Sequence, residues 1–195
     1  LMATSSGNVV DRMVDALRQV EGAYSLVAVT EDCLIGCRDP HGVRPLVLGR
    51  LDNAYLLASE SCAFDIVGAQ YVRDIELGEL VVLNGEGVHS HRPFPHAAQR
   101  FCIFEYIYFS RPDSVIEGLS VYEARKRIGA ELARESKVDV DLVVPVPDSG
   151  VPSAIGYAHE AGLPYEMGII RNHYVGRTFI EPSSEIRHLG VKLKH

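Results

Sequence analysis

The sequence predicts two fold classes in series, α+β followed by α/β, joined near residue 100. Three observations predict this. Residues 23–91 break into short β-rich runs separated by turn chemistry, behind a single amphipathic helix. Residues 92–100, RPFPHAAQR, are a polar, proline-containing stretch that reads as a linker. Beyond it, apolar runs alternate with helical patterns in the strand–helix–strand order of a parallel sheet. The expected domains are therefore 1–100 and 101–195.

The elements follow in order. Residues 8–20 carry apolar side chains at 9, 10, 13, 14, 17 and 20, one stripe of a helix, with Asn8 as N-cap and Asp11 supporting the first turn. AYSLVAVT, CLIGCRD, PLVLGR, AYLLASE, YVRDIE and ELVVLNGEGVHSH then read as strands of an antiparallel sheet, with the helix on one face. RFCIFEYIYF, residues 100–109, is apolar on both faces and predicts a strand buried between layers. Its one charge, Glu105, then needs a partner, because an unpaired buried carboxylate is costly. Residues 120–136 predict a helix with Val121, Ala124, Ile128 and Leu132 on one face and Ser120 and Glu123 as a capping box. VDLVVPVP predicts a buried strand, VPSAIGYAHEAG a helix ending at Gly162, and YEMGIIR a further strand.

Composition bounds the function. A hydrophobic share of 47% with 23% charged residues is that of a soluble globular protein. The net charge of -7 argues against broad nucleic-acid or membrane-surface binding, while leaving room for a small anionic ligand held by local donors. No window approaches the roughly 18 apolar residues of a membrane span, and no basic-then-apolar leader opens the chain, so a cytoplasmic location is expected. The four cysteines, Cys33, Cys37, Cys62 and Cys102, are scattered, which suits a reducing compartment. Cys33 and Cys37 lack a second pair and read as core or strand residues; His89, His91 and His96 read as a solvated loop rather than a zinc site. The chain opens on Leu1 and stops in the run GVKLKH, and so reads as a piece of a longer protein.

Two stretches carry candidate chemistry. In VVPVPDSGVPSA a strand end passes through Asp148, Ser149 and Gly150 into a helix starting near Val151 and Pro152. Such a junction aims helix N-terminal N–H groups at an anion. A carboxylate beside a phosphate is repulsive unless a cation lies between them, so the stretch is either a metal–diphosphate cradle or a plain βα turn with Asp or Ser as N-cap. The second stretch, RNHYVGRTFIEPSSEIR at 171–187, carries Arg171, His173, Arg177 and Arg187 without a steady apolar period. It reads as a lid over an anionic substrate or as an ordinary surface loop, with no regular element expected.

The segments CIFEYIYFSRPDS, VYEARKRIGAELA, VPVPDSGVPSAIGYA and NHYVGRTFIEPS resemble the amidophosphoribosyltransferase family, and GAYSLVAVTED, RDPHGVRPLVLG and LLASES resemble its glutaminase half. The resemblance implies the rear of an N-terminal-nucleophile (Ntn) glutaminase sandwich followed by the first βαβ part of a type I phosphoribosyltransferase domain. It implies an enzyme of purine biosynthesis that converts phosphoribosyl pyrophosphate (PRPP), glutamine and water to 5-phosphoribosylamine, glutamate and pyrophosphate, acting as a homo-oligomer inhibited by purine nucleotides. By the same resemblance, Asp148, Ser149 and Gly150 fall in the pyrophosphate loop with Ser149 near a Mg²⁺ ion. Tyr174, Gly176, Arg177 and Thr178 fall in a flexible loop that closes over PRPP, and Arg171 in a nucleotide-effector site. Cys102 matches the first of four ligands of an iron–sulfur cluster of the 4Fe–4S type found in one branch of the family. Glu60 and Asp39 belong, on this view, to the sheet and its turns, and Glu105 to a buried polar contact between the domains.

The sequence also departs from the family. No cysteine here stands at an exposed N-terminus, where the nucleophile needs its own α-amino group as base. An acidic DDS-type run expected after residue 195 is absent, and His173 lies where an arginine is common. The chain alone is therefore expected to be inactive. The alternative expectation is a non-catalytic module that binds PRPP or a nucleotide and regulates.

Overall fold

The computed structural model describes all 195 residues, which pack as two compact units, Leu1–Val121 and Tyr122–His195. In the first unit, α1 (Val9–Leu17) begins where expected: the Asn8 side chain accepts from the Asp11 amide, and the Asp11 carboxylate accepts in return from the Asn8 amide. Seven strands follow, β1 (Ser25–Val29), β2 (Leu34–Arg38), β3 (Val47–Leu51), β4 (Ala54–Ala58), β5 (Gln70–Asp74), β6 (Leu80–Asn84) and β7 (Gly87–His91), with α2 (Cys62–Val67) between β4 and β5. They form two antiparallel sheets, ordered β1-β2-β6-β7 and β4-β3-β5.

Side-chain alternation sets the layers. On one face of the larger sheet Ile35, Cys37, Leu80 and Val82 bury Met13 and Leu17 of α1 together with Tyr24. On its other face Val81 and Leu83 join Leu46, Leu48 and Ile75, with Leu34 and Leu57 alongside. Gly36 makes this approach possible, since a β-carbon there would lie 2.5 Å from a Leu57 methyl. Gly49 plays the same part on the outer face of the smaller sheet, where a β-carbon would meet the Phe64 ring of α2 at 2.7 Å. The result is a helix–sheet–sheet–helix stack.

Buried polar groups stitch the loops to this stack. Arg38, 2% exposed, donates to the carbonyls of Gly42, Arg44 and Ile75 and to the Glu117 carboxylate at 2.7 Å. Asp39 accepts from the amides of His41 and Val43. Both residues organise the RDPHGVRP loop, which is a structural task. Residues 92–100 form no regular element but are tied down here: Arg18 donates to the Pro93 carbonyl, and the Arg100 amide donates to that of His41. The stretch 101–121 packs with this unit as well.

The expected strand at 100–109 is not one. Residues Glu105–Phe109 form a π-helical turn, closed by the Ser110 amide donating to the Glu105 carbonyl. Ile103, Phe104, Ile107, Tyr108 and Phe109 are exposed, whereas Glu105 and Tyr106 are buried. Apolar character on both sides of this run therefore reflects a turn with aromatic side chains on its surface and not burial between layers. A short hairpin, β8 (Val115–Ile116) and β9 (Leu119–Ser120), leads on to the second unit.

That unit holds α3 (Val121–Glu135), α4 (Val151–Ala161) and α5 (Ser184–Lys194). Ala124 of α3 is buried as expected, but Ile128 and Leu132 are exposed. The expected parallel strands flanking α4 reduce to one parallel bridge, Val143 to Tyr165, in which the Val143 amide donates to the Pro164 carbonyl and the Glu166 amide to that of Val143. Its direction matches a βαβ unit, yet Leu142, Val144, Val146 and Ile170 remain exposed, so the layers that make a parallel ladder stable do not cover it. α5 corrects the reading of 171–187 as wholly irregular: Ser183 caps it by accepting from the Ile186 amide.

Candidate functional site

The junction before α4 is a tight turn. Gly150 is the N-cap residue, its amide donates to the Val146 carbonyl, and a β-carbon on it would stand 2.7 Å from that oxygen. Glycine is thus required by the turn itself. Pro152 falls in the first turn of α4, where its missing N–H costs nothing. No side chain caps this helix, so Asp148 and Ser149 are not spent as N-caps. Both are exposed, and the helix N-terminus keeps its partial positive charge beside them.

Asp148 does have a partner. Its Oδ2 is paired with Nη1 of Arg171, in the segment after the parallel bridge. Two predicted site residues 23 positions apart are thereby brought together. The Arg171 Nε is buried and has no acceptor.

The predicted lid residues lie elsewhere in the unit. Gly176, Arg177 and Thr178, with Val175 and Glu181, line a cavity of about 260 Å³ against Ile186, Leu189, Gly190 and Leu193 of α5. Tyr174 is fully exposed. The segment is pinned at both ends: the Asn172 amide donates to the Lys194 carbonyl at 2.7 Å, and Arg187 donates to the carbonyls of Glu181 and Pro182.

The other candidates fall in the first unit. Cys102 is a half-buried free thiol. No three His, Cys, Asp or Glu side chains converge within this span, and Cys102 is the one candidate cluster ligand it carries. Cys37 lies in β2, its thiol pushed up to about 12 by burial and by the Asp39 charge; burial also raises Cys62. Neither is a poised nucleophile. His89 and His91 sit on strand β7 rather than in a loop and line a cavity of about 650 Å³ with Arg18 and Asp15 of the α1 region.

Glu105 is 2% exposed. It forms an ion pair with Arg44 and accepts from the Ser110 hydroxyl at 2.6 Å, so the partner it was expected to need lies in the HGVRP loop of the same unit. Glu60 accepts from the Arg111 amide and the Ser114 hydroxyl, both at 2.8 Å. Arg44 and the role of Glu60 were not legible as a pattern, because nothing local in the sequence marks a contact between residues 60 and 111.

No family model matches the chain. It is 55% identical over 190 residues, 95% of its length, to the amidophosphoribosyltransferase of Rhizobium etli. It is 50% identical over 184 residues to that of Bacillus subtilis. The chain matches part of an amidophosphoribosyltransferase. Its fold agrees: it superposes over its full length on the B. subtilis glutamine PRPP amidotransferase solved with ADP and GMP, with a TM-score of 0.91 and 48% identity. A second solved structure, of an allosteric regulatory enzyme of purine biosynthesis, matches with the same TM-score. The chain spans 38% and 39% of the length of these two amidophosphoribosyltransferase relatives. No helix is long and apolar enough to cross a membrane.

Proposed function

We propose that this amidophosphoribosyltransferase segment contributes the diphosphate-holding part of a PRPP site to an enzyme that makes 5-phosphoribosylamine from PRPP and glutamine. The observation that carries the reading is the full-length match in sequence and fold, with TM-score 0.91, over a chain whose uncapped α4 N-terminus stands beside Asp148 and Ser149. The helix–sheet–sheet–helix stack supports placing residues 1–100 in an Ntn-type glutaminase half; 101–195 are read as opening the transferase half, with 101–121 packed on the first unit.

Asp148 and Ser149 are adjacent, exposed oxygen donors. That set fits Mg²⁺, which holds one or two protein oxygens and takes its other positions from water and substrate phosphates. When bound there, the ion would offset diphosphate charge. The residues themselves orient the ligand: Gly150 fixes the turn, the α4 N-terminus lies beside it, and Tyr174, Gly176, Arg177 and Thr178 belong to a loop that would have to leave its place against α5 to close over PRPP. Arg171 adds positive charge that also suits a purine nucleotide inhibitor. Glutaminase chemistry belongs to residues outside this span, since its four cysteines all lie within the chain and lack a free α-amino group. The working protein is a cytoplasmic homo-oligomer on this reading.

The test is calorimetric titration of PRPP into the chain with and without magnesium chloride. Magnesium-dependent binding is expected, with no phosphoribosylamine formed from glutamine. Absence of binding in a cooperatively folded sample overturns the PRPP reading, and product above blank overturns the division of labour.

A further inference from the structure

The Asp148–Arg171 pair joins the one carboxylate of the α4 turn to the nearest cationic side chain of the neighbouring segment. We propose that this pair is a charge latch that makes cation binding and anion binding at the turn mutually dependent. The proposal rests on the diphosphate reading above and adds to it a coupling between the two ligands.

A divalent cation arriving alone meets a carboxylate already neutralised, with a guanidinium alongside. An anion arriving alone meets a guanidinium already neutralised, with a carboxylate alongside. A metal–diphosphate complex resolves both conflicts together, because the metal takes Asp148 while the phosphate oxygens take Arg171. The pair is poised for exchange. Arg171 commits only Nη1 to a single carboxylate oxygen of Asp148, and its side chain is 30% exposed. A guanidinium binds phosphate through parallel N–H donors, so diphosphate oxygens satisfy more of Arg171 than a single carboxylate oxygen does.

The backbone on each side is already set. Gly150 locks the turn through Val146, and Asn172, next to Arg171, is held by its amide and its side chain to the Lys194 and Leu193 carbonyls. Exchange therefore needs side-chain motion alone. By linkage, whatever factor the anion adds to cation affinity, the cation adds to anion affinity.

The experiment titrates the full chain with magnesium chloride alone, with sodium pyrophosphate in EDTA, and with preformed magnesium pyrophosphate, following heat and 31P line width. The complex is expected to bind at least about tenfold more tightly than either component. Arg171→Gln should tighten magnesium alone severalfold, Asp148→Asn should tighten metal-free pyrophosphate severalfold, and each should bring the coupling factor toward one. Asp148→Glu should keep the coupling, and circular dichroism checks that each variant is folded; where one is not, the other two decide. If the wild type binds the complex tightly but both neutral variants retain its coupling factor, the latch is overturned and the diphosphate reading stands. If the folded wild type binds neither the complex nor its parts, the diphosphate reading falls and the latch with it.

Discussion

Gly156 of α4 faces the main chain of α3 so closely that a β-carbon on it would lie 2.0 Å from the Lys126 carbonyl oxygen, and Gly129 of α3 stands in the same relation to Ser153, at 1.9 Å. Each helix thus supplies the glycine that the other's backbone touches. Since α4 carries the diphosphate turn at its N-terminus, this crossing sets where the turn is presented. Gly156→Ala and Gly129→Ala would each gain about 1 kcal/mol of helix propensity. Forcing the helices apart costs more, and a net loss of about 3 kcal/mol is expected, read as a lower melting transition for the second unit and weaker pyrophosphate binding.

The first unit carries a pH-dependent element in Glu79. This carboxylate is 1% exposed and accepts two bonds from Arg73, at 2.7 and 2.8 Å, together with the Ser90 hydroxyl and the Glu76 amide. Burial by itself would push the Glu79 carboxyl up, but the Arg73 guanidinium and the other two donors outweigh it and hold the group below its ordinary 4.5. A depressed carboxyl stabilises the fold fully above its unfolded pKa and loses that contribution as pH falls through the folded one. Glu79→Gln should therefore cost about 2–3 kcal/mol near neutrality, and the gap from wild type should narrow as the pH drops below about 4.5. Thermal melts of both proteins across that range provide the check.

The Arg44–Glu105 pair should respond unequally to truncation. Arg44 is 46% exposed and can be hydrated, while its partner is buried. Glu105→Ala forfeits the pair and the Ser110 bond, at about 1–3 kcal/mol. Arg44→Ala strands a buried charge and should cost more, about 3–5 kcal/mol. Denaturant unfolding measures the order, and amide exchange over residues 102–110 should quicken in both variants.

Thiol labelling separates the cysteines. Cys37 is fully buried, and its thiol, at about 12, stays protonated at neutral pH. Cys102 is accessible in part. An aromatic disulfide reagent at pH 8 should modify Cys102 in the folded protein and reach Cys37 only on unfolding, with mass spectrometry locating the adducts.

Much of the first unit was legible because alternation of period two, interrupted by turn residues, has one economical solution. The Asn8–Asp11 box was legible for the same local reason. The turn at 105–109 was misread because an apolar run looks alike whether it is buried between layers or displayed on a surface. The polar Glu105 within it was the sign of a special position. α5 escaped because Val175, Phe179 and Ile180 belong to the preceding loop, while Ile186, Leu189 and Leu193 start a helical spacing only after Ser183. At the candidate site the strand-to-helix change placed Asp148, Ser149 and Gly150. The pairing of Asp148 with Arg171 was not readable, since a contact across that separation is a property of the tertiary structure.

The second unit's buried side chains also say how it should melt. Apart from Val121 where α3 begins, its buried hydrophobic residues are Ala124, Ala133 and Ala158, and its other large aliphatic residues stay in contact with water. Unfolding such a unit newly hydrates little apolar surface, and apolar hydration supplies the positive heat-capacity change of denaturation. Its stability curve is consequently shallow, with a broad calorimetric peak and weak dependence on temperature, beside a first unit whose two packed sheets give a sharp one.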